Sequence, residues 1–270
     1  MPSVPLIVGD YIYTYVYDEL FKIRISDGVV EKTVKIIPKT AYYHYLGYGE
    51  GVILQYSNGM AYDLDLEPLW SMEQKINQKI SRPIMAAFFN EGYFYAIDGY
   101  KLYKFDKDGN LSDGVWSAGI DVTWWGTYGT TSSPLFLDDK IYYLGSVNSK
   151  KPETTLYSID TNTGAKESVR LGAIDGYYLD DGWLTTDGKS IFLTCYCGSG
   201  LFSSSGHRLP SQIVCIDKDL SNGNYYTVSL IVEGIPSAFV IHDGRGYVNV
   251  DYSGMVNSYL KVFDMDDFYK

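Results

Sequence analysis

Three histidines, three cysteines and 33 acidic side chains are the groups in this 270-residue chain that can move protons, hold a metal or attack a substrate. His44, His207 and His242 stand far apart in the chain. Cys195 and Cys197 lie two apart on one predicted strand, so their side chains share a face, and Cys215 falls on the next. That spacing does not make a zinc site, and three buried free thiols are the expectation, one at least being unpaired within the chain. No G-x-S-x-G elbow, phosphate-cradling G-x-x-x-x-G-K-[ST] or H-E-x-x-H occurs. Glycoside hydrolysis needs two carboxylates about 5 to 9.5 Å apart across one substrate. Asp180 and Asp181 are neighbours and diverge on a strand, whereas Asp121 with Asp175 would have to meet from different loops. The sequence therefore gives no catalytic residue, no metal and no cofactor.

The aromatic groups are better placed for recognition. Trp124, Trp125, Tyr128, Tyr177 and Tyr178 supply flat surface, and Asp121, Asp175, Asp180, Asp181, His207 and Arg208 are the polar groups near them in sequence. Rings beside carboxylates suit a sugar, whose apolar face stacks while its hydroxyls hydrogen-bond. Trp, Tyr and Arg equally dominate protein interfaces. Either Trp124 or Trp125 could instead plug the gap between blades three and four as core, the pair together less readily, because adjacent residues on a strand point opposite ways.

These residues fall in four long connections, numbered 117–131, 147–154, 172–181 and 198–211, and the elements between them decide what they share. With 27 Tyr, 46% apolar and 20% charged residues, the composition is that of a globular, strand-rich chain. No stretch approaches 18 consecutive apolar residues. A net charge of -11 disfavours nucleic acid and anionic membranes. Asn110-Leu111-Ser112 is a glycosylation sequon of a kind that arises by chance in such a composition. Helix is expected to be scarce: the best helical candidate, 69–80, reads as one strand and a polar connection.

A four-part unit recurs: an apolar strand, a tight turn, an aromatic strand, a strand of the type Leu-Tyr-x-Ile-Asp ending in a turn, and a polar strand. The clearest copy is SSPLFLDD, KIYYLGS, TLYSIDTNTG, AKESVRLG from Ser132. Others begin at Val4 and Ile84, with weaker copies at Tyr42, Gly182 and Pro236. Arg24, Asp65, Asp106, Asp160, Asp217 and Asp264 mark the end of the third strand in each, the aspartates as acceptors for the amides of the following turn. Their spacings of 41 to 57 residues match four-stranded propeller blades. The fold class is therefore all-β: a single six-bladed β-propeller of four-stranded antiparallel blades, at about 1–38, 39–80, 81–119, 120–172, 173–232 and 233–270, with the last blade incomplete.

TLYSIDTNTG with its preceding SSPLFLDDKIYY resembles the repeats of PQQ-like propellers, and GYFYAIDGYKLYKFDKDGN and GYVNVDYSGMVNSYLKVFD are similar to NHL-type repeats. The resemblance spans nearly the whole chain and implies a fold; both groups hold enzymes, scaffolds and binding modules. PQQ-dependent dehydrogenases carry a vicinal cysteine pair and eight blades. Here Tyr196 separates Cys195 from Cys197 and six repeats are visible, which argues against quinone chemistry. Some propeller lyases join metal ligands on inner strands, where His44 and His242 would fall.

First-to-second turns are short throughout: Gly9-Asp10, Glu50-Gly51, Asn90 to Gly92, Asp138-Asp139, Asp187-Gly188 and Asp243-Gly244. The four long connections all belong to the other face, around blades four and five, and long irregular loops in a repetitive fold carry function. The expectation is a binding or scaffold module that recognises a glycan or protein partner through this sector. A carbohydrate-active hydrolase or lyase is the alternative. The sequence reads as a module excised from a larger secreted or cell-surface protein, a cytoplasmic one being the alternative. The open last blade leaves an edge suited to strand addition.

Overall fold

The computed structural model describes residues 5–16, 18–36, 46–55, 59–77, 84–98, 101–112, 135–146, 154–171, 179–197, 211–222, 225–228, 235–251 and 258–269. The chain parts into two compact units, Met1–Ile120 and Asp121–Lys270.

In the first unit, sheet one consists of β1 (Leu6–Val8), β2 (Tyr11–Val16), β3 (Glu19–Arg24) and β4 (Val30–Lys35). Sheet two is β5 (Leu46–Gly49), β6 (Val52–Gln55), β7 (Met60–Tyr62) and β8 (Pro68–Ser71). Sheet three is β9 (Ile84–Asn90), β10 (Tyr93–Asp98) and β11 (Lys101–Phe105). The second unit holds sheet four, β12 (Leu135–Leu137), β13 (Lys140–Ser146), β14 (Thr154–Asp160) and β15 (Lys166–Leu171). Sheet five follows with β16 (Leu179–Thr186), β17 (Ser190–Cys197), β18 (Ser211–Asp217) and β19 (Tyr225–Val228), and sheet six with β20 (Ile235–His242), β21 (Arg245–Asp251) and β22 (Ser258–Asp264). Every pairing within these sheets is antiparallel and joins strands consecutive in the chain.

The first-to-second turns lie where their sequence places them. Gly9, or the pairs Glu50-Gly51, Glu91-Gly92, Asp138-Asp139 and Asp243-Gly244, have φ between 48° and 83°, the left-handed geometry that lets two residues reverse a twisted ladder. Within each unit the first strands of successive sheets are neighbours, β5 beside β9 and β16 beside β20. The sheets pack face on face. Tyr13, Tyr15, Leu20, Ile53 and Tyr62 fill the space between sheets one and two, and Leu54, Trp70, Phe94 and Phe105 that between two and three. Tyr142, Leu156, Ile191 and Val214 join sheets four and five, and Phe192, Ile213, Phe239 and Val248 join five and six. Middle sheets are thus covered on both faces, which is why β6 and β17 read as nearly unbroken apolar runs and not as alternation.

Two expectations need correction. The connection after β8 is not merely polar: Met72–Ile76 forms a short helix, α1, whose first turn is capped by Ser71 Oγ accepting from the Gln74 amide. Met72 is fully buried there. In sheet two, moreover, the residue that ends the third strand and closes the turn is Asp63, not Asp65. Asp63 Oδ1 accepts from the amides of Asp65 and Glu67, as Asp106 Oδ1 does from those of Asp108 and Asn110. Asp65 instead reaches back to sheet one, 2.7 Å from Lys22 Nζ. The two aspartates are two apart, so the sequence repeat fits either, and only the hydrogen bonds separate them.

Candidate functional site

The turn after each third strand is built by one carboxylate. Asp160 Oδ1 accepts from the amides of Asn162 and Thr163, Asp217 Oδ1 from that of Asp219 and Asp264 Oδ1 from that of Asp266. Burial pushes the Asp160 and Asp106 carboxyls up, but the donated hydrogen bonds outweigh it and both sit below the ordinary carboxylate value. The carboxylates are thus committed to backbone, as the sequence expects, and Arg24 in sheet one takes the same place while bound to Asp27 and Glu31.

The turn carbonyl next to that carboxylate receives a donor from the preceding sheet. Tyr13 Oη donates to Leu64 O at 2.8 Å, Trp70 Nε1 to Lys107 O at 2.9 Å and Tyr142 Oη to Lys218 O at 2.7 Å. Burial, then the surrounding carboxylates, push the Tyr142 phenol far above its ordinary value, so it remains a donor. Burial likewise raises Tyr13, against the opposing influence of Lys22. Ion pairs flank these contacts, Lys32 with Glu67 and Lys218 with Asp138.

The connections that carry the recognition residues leave from the other ends of the strands. Ser146 to Thr154, Leu171 to Leu179 and Cys197 to Ser211 are joined on the side of sheets four and five opposite to the Asp138-Asp139 and Asp187-Gly188 turns. Asp121, Trp124, Trp125, Tyr128, Asp175, Tyr177, Tyr178, His207 and Arg208 lie outside the described residues, as does His44. Asp180 and Asp181 are described as backbone of β16, where the ladder to β17 shifts register between Leu179 and Gly182.

His242 ends β20, largely exposed, with Nε2 3.3 Å from Asp243 Oδ2. Cys215 is opposite Phe192, and Cys195 is opposite Gln212, so backbone pairing does not set Cys215 against Cys195. The Cys215 thiol is free and buried; burial pushes it up, with a hydrogen bond to Ser190 acting the other way. Among the described residues no cluster of His, Cys, Asp or Glu has metal-binding geometry, and no helix is long and apolar enough to cross a membrane.

A cleft of about 470 Å³ that the sequence reading did not anticipate opens between the turns of sheets five and six. Asp187, Lys189, His242, Asp243, Met265 and Asp266 line it. The turns themselves were legible as Asp-Gly pairs, but shortness marked that end as inert. Asp187 Oδ1 is held by the amides of Lys189 and Ser190, so its carboxylate serves the turn first.

No family model matches the sequence, and no curated protein matches it. Solved structures do. The dihydro-heme d1 dehydrogenase NirN aligns over 92% of this chain with a TM-score of 0.61 and 15% identity, and the chain spans about half of that protein, 51%. The Neurospora crassa Pan2 WD40 domain aligns over 95% of the chain and 73% of its own length, TM-score 0.59, 11% identity. A europium-containing methanol dehydrogenase aligns over 91% and 60%, TM-score 0.51, 14% identity. These neighbours are β-propellers, and at such identities what they share with this chain is the fold. Six antiparallel sheets of three or four strands among the described residues, each a hairpin-linked unit, make this protein a β-propeller with PQQ-like structural resemblance.

Proposed function

We propose that this propeller is a non-catalytic recognition module, binding a glycan or protein partner through the long connections of sheets four and five. The observation that carries the reading is the asymmetry of those sheets. One side is closed by the turns 138–139, 161–165, 187–189 and 218–224, in which Asp160, Asp187 and Asp217 accept from turn amides, while the strand ends that bracket 147–153, 172–178 and 198–210 all lie on the other. Trp124, Trp125, Tyr128, Tyr177, Tyr178, Asp121, Asp175, His207 and Arg208, from these and the connection 113–134, and Asp181 at the start of β16 supply aromatic groups, carboxylates and a guanidinium. A surface of that composition recognises by stacking and hydrogen bonding. Presentation at a cell surface or in secretion is the setting this proposal assigns.

The test is a panel of oligosaccharides titrated against intrinsic Trp fluorescence. The reading expects saturable binding that Trp124→Ala or Trp125→Ala weakens about tenfold or more, with unfolding midpoints unchanged. Equal binding by wild type and both variants would remove the aromatic sector from the account. A flat response to every sugar would leave a protein partner as the ligand class.

A further inference from the structure

Sheet six carries a second surface, independent of the loop sector. In sheets one, two, four and five the third strand is flanked on its outer side by a fourth. In sheet three, Leu111 bridges to Phe105 and the Ser112 amide donates to Lys104 O beside β11. In sheet six the third strand, β22, pairs with β21 from Ser258 to Asp264, and the chain then turns into a 3-10 helix, Met265–Tyr269. Among the described residues no strand pairs with its outer edge. Leu260 and Val262 on this strand are 61% and 48% exposed, and Val240 on the first strand 56%.

Sheet four states what such an edge takes. Asp160 there lies opposite Lys140, as Asp264 lies opposite Arg245. Lys140 Nζ reaches the fourth strand, 2.6 Å from Glu167 Oε2, and Glu167 is opposite Ser158 while Val169 is opposite Leu156. By the same register Val262 stands at the place of Ser158 and Leu260 at that of Leu156. Arg245 is exposed and has no acidic partner among the described residues. The edge is thus furnished with the cation and the apolar contact, and among the described residues no strand answers them.

We propose that β22 accepts an extended segment of a partner polypeptide as an antiparallel fourth strand. That segment carries an acidic residue opposite Val262, to meet Arg245, and an aliphatic residue two positions on, opposite Leu260: Glu-x-Val, as in Glu167-Ser168-Val169. Backbone pairing supplies affinity and the charged and apolar contacts set register.

The probe is a fluorescent synthetic peptide with the sequence of residues 165–172, AKESVRLG, titrated by anisotropy against the 270-residue protein. The expected result is saturable binding, weakened about tenfold when the peptide's Glu is replaced by Lys or the protein carries Arg245→Glu, and restored when both changes are combined. Thermal unfolding of the Arg245→Glu variant controls for folding, and Val262→Pro, which distorts the edge, removes binding altogether. Absence of binding at millimolar peptide, or equal binding in all four charge combinations, overturns the proposal. So does a dimer in sedimentation that Leu260→Asp dissociates, since a second copy would then occupy the edge.

Discussion

Asp160 shows what a single carboxylate does in this fold. Its Oδ1 collects two backbone amides and the Thr163 hydroxyl, and the hydrogen bonds hold its pKa below the ordinary value despite burial. A carboxyl depressed on folding stabilises fully above its unfolded pKa, about 3.9, and that contribution fades as pH falls through the lower folded value. Wild type is therefore expected to lose unfolding temperature as pH falls from 5 to about 3, and Asp160→Asn to flatten that decline; parallel declines would refute the assignment. Asp138 and Asp139 are a second case, both with positive φ, 49° and 58°. The second place in three other such turns is Gly, which adopts this geometry without a Cβ clash. Asp139→Gly should stabilise by about 1 kcal/mol in urea titration, the reverse of the usual glycine penalty. The sequence made the turns legible because Asp and Gly have specific turn chemistry. It left Asp63 and Asp65 indistinguishable because both satisfy the same repeat.

At the scale of elements, adjacent sheets are tied by aromatic donors reaching the carbonyl beside each turn carboxylate. Tyr142→Phe strips the donor from Lys218 O and should cost about 1 to 2 kcal/mol, read by chemical denaturation; Tyr13→Phe should cost a similar amount at Leu64 O. The Trp70 ring packs on Gly109, whose φ is +75° and where an added Cβ would sit 2.5 Å from the ring. Gly109→Ala should lose about 2 kcal/mol from backbone and ring together; an unchanged midpoint would mean that the ring is not held there. The abundance of Tyr signalled half-buried strands, but no sequence period tells which hydroxyl finds a carbonyl 51 or 76 residues away. Helix α1 was missed for a related reason: five residues are too few to show a 3.6 period, and its signal was the Ser71 cap alone.

For the whole molecule, the repeat of Leu-Tyr-x-Ile-Asp strands and tight turns made the propeller legible, since each unit is a local hairpin stack whose chemistry recurs. Function is less legible because propellers hold their sites in connections, and connections obey no repeat. The proteins with which this chain shares its fold include a dehydrogenase and a WD40 domain, so the fold itself selects neither catalysis nor binding. The central claim is recognition without turnover, and the most direct measurement is recovery of the ligand. The protein is incubated overnight with each oligosaccharide that quenches its Trp fluorescence, and the mixture is weighed by mass spectrometry. The account predicts every bound sugar returned intact at its starting amount. A cleaved or unsaturated product, growing in proportion to protein and lost on Asp121→Asn or Asp175→Asn, would contradict it and establish a carbohydrate-active enzyme.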